Sequence, residues 1–264
     1  MKIGIYTNPN KDADGSAYRA VMQAAEKYGI TAQSFDLKDN YDFVVSIGGD
    51  GTILRIAKHC AKQNMPILGV NKGTVGFLTE VEASDIERSI ERLISRDYIL
   101  ERRALLDACL HGDHHYALND VVISRAGSGR MITMEVHVND EIIDRFTCDG
   151  YIACTPTGST AYSLSAGGSV IGPNTPVIAL TPINPHTLRT RPIVVGSFEK
   201  ISMKYSGEGQ ASLFVDGDNA VRLDCGDVVT VTGWDKSALF VRFDSESFYS
   251  RLLSKLNSWS AAED

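Results

Sequence analysis

Apolar and polar positions along the first hundred residues switch between two periods. Short β-rich runs read as strands: KIGIY at 2–6, TAQSFDL at 31–37, FVVSI at 43–47 and ILGV at 67–70. Between the first two, Ala17, Ala20, Val21, Ala24 and Tyr28 recur at helical spacing and stop near Gly29. A second helix after Gly51 carries Ile53, Ile56, Ala57, Cys60 and Ala61. Ser84 and Glu87 have capping-box spacing, which predicts a helix from there to Arg96. Short apolar strands alternating with helices predict a parallel sheet covered by helices.

From about residue 98 the pattern changes. ALNDVVIS, MITMEVHV, EIIDRFT, YIACT, PIVV, ASLFVD, DVVTVT and ALFVRF are strand-like runs separated by turn residues. VNDE at 138–141 reads as a tight hairpin and DGDN at 216–219 as a further turn. Phe248, Leu252, Leu256 and Trp259 share one face of a terminal helix that packs back on the body. The expectation is an α/β, Rossmann-like domain over 1–97, a β-rich, sandwich-like domain over 98–244 and a C-terminal helix within 245–264.

Composition narrows the classes. A chain of 264 residues with 43% hydrophobic content can build one large domain or two modest ones. Its net charge of -7 argues against a general nucleic-acid or membrane binder. The start, MKIGIYTNPNK, lacks the apolar stretch of a signal peptide. No segment approaches the roughly 20 apolar residues of a membrane span. A soluble, cytoplasmic protein is expected. Cys60, Cys109, Cys148, Cys154 and Cys225 are scattered without a CxxC pair, so buried free thiols are expected rather than a metal site or disulfides. His114 and His115, being adjacent, point apart in an extended segment, as on a solvated loop or strand end.

P-loop, GxGxxG and GxSxG motifs are absent. Gly48-Gly49-Asp50-Gly51 remains, between a strand and a helix. Such a turn favours phosphate through its backbone N–H groups and the helix N-terminus, yet it holds a carboxylate. Asp50 could merely cap the helix, with the glycines relieving sterics. Alternatively it takes the proton of a hydroxyl attacking a phosphoryl group. Arg55, one turn on, leans back towards the N-terminus and could offset repulsion between Asp50 and phosphates. TPTGSTAYSLSAGG at 155–168 sets hydroxyls and one aromatic face between glycines, which suits a nucleotide cradle or a generic polar loop. Asn119-Asp120 and Asp149-Gly150 precede or flank neighbouring strands.

Taken together, GGDGT at 48–52, GVNKGTVGFLTE at 69–80, NDVV at 119–122, DGYIACTPTGSTAYSLSAGG at 149–168 and VDGD at 215–218 resemble the NAD kinase family, the ATP-NAD 2'-phosphotransferases. GGDGT alone also occurs in phosphofructokinases and lipid kinases; the hydroxyl-rich segment is the specific part. The resemblance implies γ-phosphoryl transfer from ATP to the 2'-hydroxyl of the adenosine ribose of NAD, with a divalent metal, normally Mg²⁺. It implies an α/β N-terminal and a β-rich C-terminal domain with the ligand between them, assembled as dimers or tetramers. Asp50 would be the base, Gly51 would lie against the dinucleotide and Arg55 near phosphate. Asn119 and Asp120 would contact NAD; Arg130 falls where a polar residue often touches the dinucleotide. Asp149 and Thr160-Ala161-Tyr162-Ser163-Leu164-Ser165 match the adenosine-binding segment.

The chain departs from that pattern at Asp120, where the family has Glu, at Thr147, where many members have Arg, and at Asp218, often Gln. Arg145, two positions before Thr147 on the same side of a strand, is the expected substitute for the missing cation. The alternatives are a GGDGT-type lipid kinase, which would need a large apolar acceptor cleft, and a catalytically silent dinucleotide-binding regulator.

Overall fold

Phe43–Gly48 is buried at all six positions, as a parallel strand covered on both faces must be. The computed structural model describes residues 1–73, 76–127, 130–243 and 248–260. The chain forms two units, Met1–Arg102 with Ala238–Asp264, and Arg103–Ser237. The first contains β1 (Lys2–Thr7), α1 (Ser16–Lys27), β2 (Thr31–Ser34), β3 (Phe43–Gly48), α2 (Asp50–Gln63), β4 (Ile67–Asn71), β5 (Val81–Glu82) and α3 (Ile86–Ser95). Its strands run parallel in the order β2-β1-β3-β4, and β5 extends the far edge of β4. Ala17, Val21 and Ala24 of α1 and Ile86, Ile90 and Leu93 of α3 close on Ile3, Val45, Ile47 and Leu68. The buried face of α2 is the predicted one, with Ile53, Ile56, Ala57, Cys60 and Ala61.

The chain then enters β6 (Ile99–Leu110), β7 (Asp113–Ala117), β8 (Asp120–Arg125), β9 (Ile132–Val138), β10 (Glu141–Cys148) and β11 (Gly150–Cys154). A one-turn helix, α4 (Tyr162–Ser165), precedes β12 (Val177–Ile183), β13 (Ile193–Gly196), β14 (Ile201–Ser206), β15 (Ala211–Val215) and β16 (Asp218–Leu223). β17 (Val228–Arg242) returns to the first unit, which α5 (Phe248–Ser260) completes. In the second unit one antiparallel sheet has the order β13-β12-β11-β8-β15-β16, and β10-β9-β14-β17 form another. Val121, Ile123, Tyr151 and Leu213 of the first face Met134, Val136, Met203 and Val229 of the second in one core, the arrangement of a sandwich.

Several boundaries differ from the sequence reading for local reasons. β2 stops at Ser34 because the Asp36 carboxylate accepts the Lys38 N–H and turns the chain. Ser84 does not cap α3: a 3-10 turn spans Ala83–Asp85, the helix starts at Ile86, and no side chain caps it. Glu87, instead of reaching back to Ser84, pairs with Lys27 of α1. β6, β12 and β14 are not among the runs read from the sequence: β6 opens on an exposed Ile99-Leu100 followed by the charged run Glu101-Arg102-Arg103, β12 contains Pro182, and β14 alternates cleanly, with Ile201, Met203 and Tyr205 buried. DVVTVT and ALFVRF merge into the single strand β17. The units divide at 102/103 and 237/238, where the sequence places boundaries at 97/98 and 244/245, because the end of β17 pairs with β4 through Phe240 and Ile67.

All five cysteines are free; Cys60, Cys148 and Cys154 are buried as expected, Cys109 partly so, and Cys225 is exposed. His114 sits on β7 and hydrogen-bonds Asp107 across the β6–β7 pair. Leu252 of the terminal helix is buried, whereas the side chains of Leu256 and Trp259 lie outside the described residues. Among the described residues no helix is long and apolar enough to cross a membrane.

The predicted 138–141 hairpin is present, with Val138 opposite Glu141 and both turn residues, Asn139 and Asp140, at positive φ. That type I' geometry favours glycine at its second position. Asp140→Gly is expected to stabilise the protein by about 0.5 kcal/mol, a rise of roughly 1–2 °C in thermal midpoint, checked by calorimetry.

Candidate functional site

At the end of β3 the chain turns through Gly48 into α2. A Cβ on Gly48 would lie 2.2 Å from Thr52 Oγ1, so that glycine is demanded by the fold. Gly49 and Gly51 are different: a Cβ on either meets nothing within 4 Å, and neither has a left-handed φ. Packing does not explain them, whereas close approach of a ligand to the backbone at the helix N-terminus does.

Asp50 is the first residue of α2, Gly49 is the N-cap, and no side chain caps the helix. The carboxylate instead reaches the segment after β4. Phe77 N–H donates to Oδ2 at 2.8 Å and Leu78 N–H to Oδ1 at 3.0 Å. A Cβ on Gly76 would fall 1.9 Å from Asp50 Oδ1, so only glycine admits the carboxylate there. Arg55 is exposed. Thr74 and Val75, within the quoted 69–80 segment, lie outside the described residues.

In the second unit a cavity of about 460 Å³ gathers Asn119, Asp120, Ala161 and Tyr162 with Phe214 and Gly217. Asp216 builds it. With φ near 52° it heads the β15–β16 turn, and its carboxylate accepts the N–H groups of Leu118, Asn119 and Asp120. Gly158 packs so closely that a Cβ would lie 2.1 Å from the Asn119 carbonyl oxygen. Tyr162 presents its ring to solvent at 45% exposure, while Asp120 is only 5% exposed. Burial, helped by the nearby Asp216 charge, pushes the Asp120 carboxyl up to about 7.

The remaining predicted residues are spread around this unit. Thr160 donates to the Thr157 carbonyl. Ser163 is fully buried and hydrogen-bonds Thr181; Leu164 is half-buried and Ser165 exposed. Arg130 is exposed and ion-pairs with Glu208. Asp149 is held by Arg125 Nε at 2.5 Å and Asn184 Nδ2 at 3.0 Å. Arg145, the expected substitute cation, turns to Glu135 at 3.6 Å with 70% of its side chain exposed. Arg125 is therefore the cation beside Asp149, and nothing in local spacing pointed to it. Asp216 and Phe214 were also missed as site residues; the Asp-Gly turn signal at 216–217 was the available clue.

Known proteins resemble this chain along most of its length. The ATP-NAD kinase N-terminal domain model matches residues 4–98 and the ATP-NAD kinase C-terminal domain model residues 118–243. An NAD kinase of Caldanaerobacter subterraneus subsp. tengcongensis is 36% identical over 280 residues, spanning 97% of this chain and 98% of that protein. A yeast NADH kinase complexed with NADH has a similar structure, with a TM-score of 0.86, 25% identity, and coverage of 98% of this chain and 87% of that one. An NAD kinase from Archaeoglobus fulgidus in complex with ATP superimposes with a TM-score of 0.83, 29% identity, and coverage of 98% and 99%.

Two outcomes follow from the geometry. Gly76→Ala displaces the Asp50 carboxylate, and the amides of Phe77 and Leu78 then lose protection in hydrogen exchange by about tenfold or more, as expected when a charge-assisted bond worth about 1.5–3 kcal/mol is lost. The raised carboxyl of Asp120 acts on stability with a definite sign. Native Asp120 keeps its proton up to about pH 7, while the unfolded chain loses it near the ordinary aspartate value of 3.8. Its contribution is present below that value and lost as pH rises towards 7. Asp120→Asn removes the dependence, so the thermal midpoint of the variant minus that of the parent should grow by several degrees between pH 5 and pH 8. A constant gap would mean that Asp120 titrates at its ordinary value.

Proposed function

The chain belongs to the NAD kinase family, making it an ATP-dependent phosphotransferase that converts NAD to NADP, and from that premise we propose how its residues divide the work. Asp50 is the general base. Its carboxylate takes the proton of the adenosine 2'-hydroxyl as that oxygen attacks the γ-phosphorus of ATP. The new O–P bond forms as the bond from phosphorus to the β–γ bridging oxygen breaks, and ADP leaves. The observation that carries this reading is a carboxylate fixed by the amides of Phe77 and Leu78 at a helix N-terminus whose flanking Gly49 and Gly51 leave open space. Each carboxylate oxygen accepts one amide and retains a lone pair for the hydroxyl.

The helix N-terminus and Arg55 receive phosphate charge. In the second unit Asn119, Asp120 and the exposed ring of Tyr162 take up the nucleoside, by hydrogen bonds and stacking. Arg125 beside Asp149 is the cation for a newly phosphorylated ribose, in place of Arg145. The yeast NADH and archaeal ATP complexes support the two substrates. Among the described residues no group of three or more His, Cys, Asp and Glu side chains forms a metal cage. Mg²⁺, which the family resemblance implies, would be held mainly by the donor phosphates, with at most one or two carboxylates, and would neutralise phosphate charge. Family resemblance supports a cytoplasmic homodimer or homotetramer.

The base assignment has a direct test. Asp50→Asn should bind NAD within about threefold of the parent while kcat falls by roughly 10²–10⁴, read as NADP formed from NAD, ATP and Mg²⁺ by mass spectrometry. Activity comparable to the parent would remove Asp50 from that role.

A further inference from the structure

The segment that holds Asp50 is itself held from behind by the end of the chain. Glu80 is the centre of the attachment. Its Oε1 accepts the Phe243 N–H at 2.9 Å, and its Oε2 accepts Arg242 Nη1 at 3.0 Å and Arg251 Nη2 at 3.3 Å. The same guanidinium groups bind the backbone just upstream. Arg242 Nη1 donates to the Leu78 carbonyl at 3.1 Å, and Arg251 Nη1 to the Thr79 carbonyl at 3.2 Å. Arg242 Nε adds Glu101 at 2.7 Å.

The helix α5 also grips the preceding residue. Phe248 lies 6.2 Å, centroid to centroid, from the Phe77 ring, and Lys255 Nζ lies 4.6 Å from the same ring centroid. Positions 248, 251 and 255 are spaced by three and four, so one face of α5 covers residues 77–80. On the other side, the Glu80 N–H donates to the Gly69 carbonyl at 2.8 Å, and a Cβ on Gly69 would come within 2.9 Å of Thr79 Cα. The segment is thus clamped between β4 and the C-terminal elements. Its free product is a pair of amides aimed at Asp50.

We propose that Arg242 and Arg251 are positioning residues for the phosphoryl transfer, orienting the Asp50 carboxylate through the 77–80 segment without touching substrate. This inference rests on the assignment of Asp50 as base. A shift of about 1 Å in a reacting group lowers rate far more than affinity, so the two arginines act on kcat.

The decisive measurement is a double-mutant cycle between Arg251 and Asp50 in the full-length protein, with NADP formation followed by mass spectrometry. Arg251 suits it because its side chain is 12% exposed, against 5% for Arg242. Arg251→Met should lower kcat at least fivefold, with the KM for NAD and for ATP within twofold, and Arg251→Lys should restore part of the loss. In the Asp50→Asn background the same Arg251→Met change should leave the residual rate unaltered, because the group it orients is no longer a base. If Arg251→Met does not fold, Arg251→Lys carries the same cycle with a smaller expected loss. An unchanged kcat in the parent background overturns the proposal. So does an equal fractional loss in both backgrounds, which marks a purely structural role. Failure of the base assignment shows separately, as parental activity in Asp50→Asn alone.

Discussion

The head of α2 depends on two backbone amides, those of Phe77 and Leu78, which hold the Asp50 carboxylate. A carboxylate in an anion-binding turn opposes the anion the turn is built for. Two unit charges about 4 Å apart at an effective dielectric near 20 repel by roughly 4 kcal/mol. Hydrogen bonds to a charged group return about 1.5–3 kcal/mol each, so the amides of Phe77 and Leu78 offset a repulsion of that size. The helix N-terminus adds about 0.3–1 kcal/mol in the same direction. Asp50 could therefore remain fixed beside an anion at this turn, and Gly76, which admits its oxygen, follows as a steric requirement.

Those amides need a rigid support, and the support is ionic. Glu80 and Arg242 are each 5% exposed and Arg251 12%. Buried ion pairs add little net stability over well-packed apolar side chains, although breaking one costs about 3–5 kcal/mol. Stability alone is thus a weak account of this cluster. Its directional value is greater: planar guanidinium groups bind carbonyl and carboxylate oxygens at fixed angles, which apolar side chains cannot do. The cluster fixes a backbone path, and the path fixes Asp50.

What was legible in the sequence is what local chemistry dictates. The glycine-rich turn, the apolar run at 43–47 and the Asn-Asp hairpin are each determined by a few consecutive residues, and each stands where the pattern placed it, the strand running one residue further to Gly48. The parallel sheet, the β-rich sandwich and the family itself could be read the same way. Long-range pairing was not legible. Glu87 prefers Lys27 to its own helix end, Arg125 rather than Arg145 accompanies Asp149, and Arg242 meets Glu80 across more than 160 positions. No spacing rule reports a partner that only the fold brings near. Strands with an internal charged run or a proline, such as β6 and β12, escaped because their neighbours in the sheet, rather than their own alternation, hold them.

The second unit uses aspartates in a contrasting way. Asp216 satisfies itself on three consecutive amides, which bends residues 118–120 around the cavity and leaves a charge next to Asp120. Burial, with that charge as the smaller contribution, raises the Asp120 carboxyl to about 7. The turn that shapes the cavity therefore also adds to the shift that burial imposes on its wall: near neutrality Asp120 is divided between a form that only accepts hydrogen bonds and one that can donate. Asp120 thus answers pH through its own burial and its neighbour Asp216, while the Asp50 carboxylate in the first unit is held by a separate pair of amides.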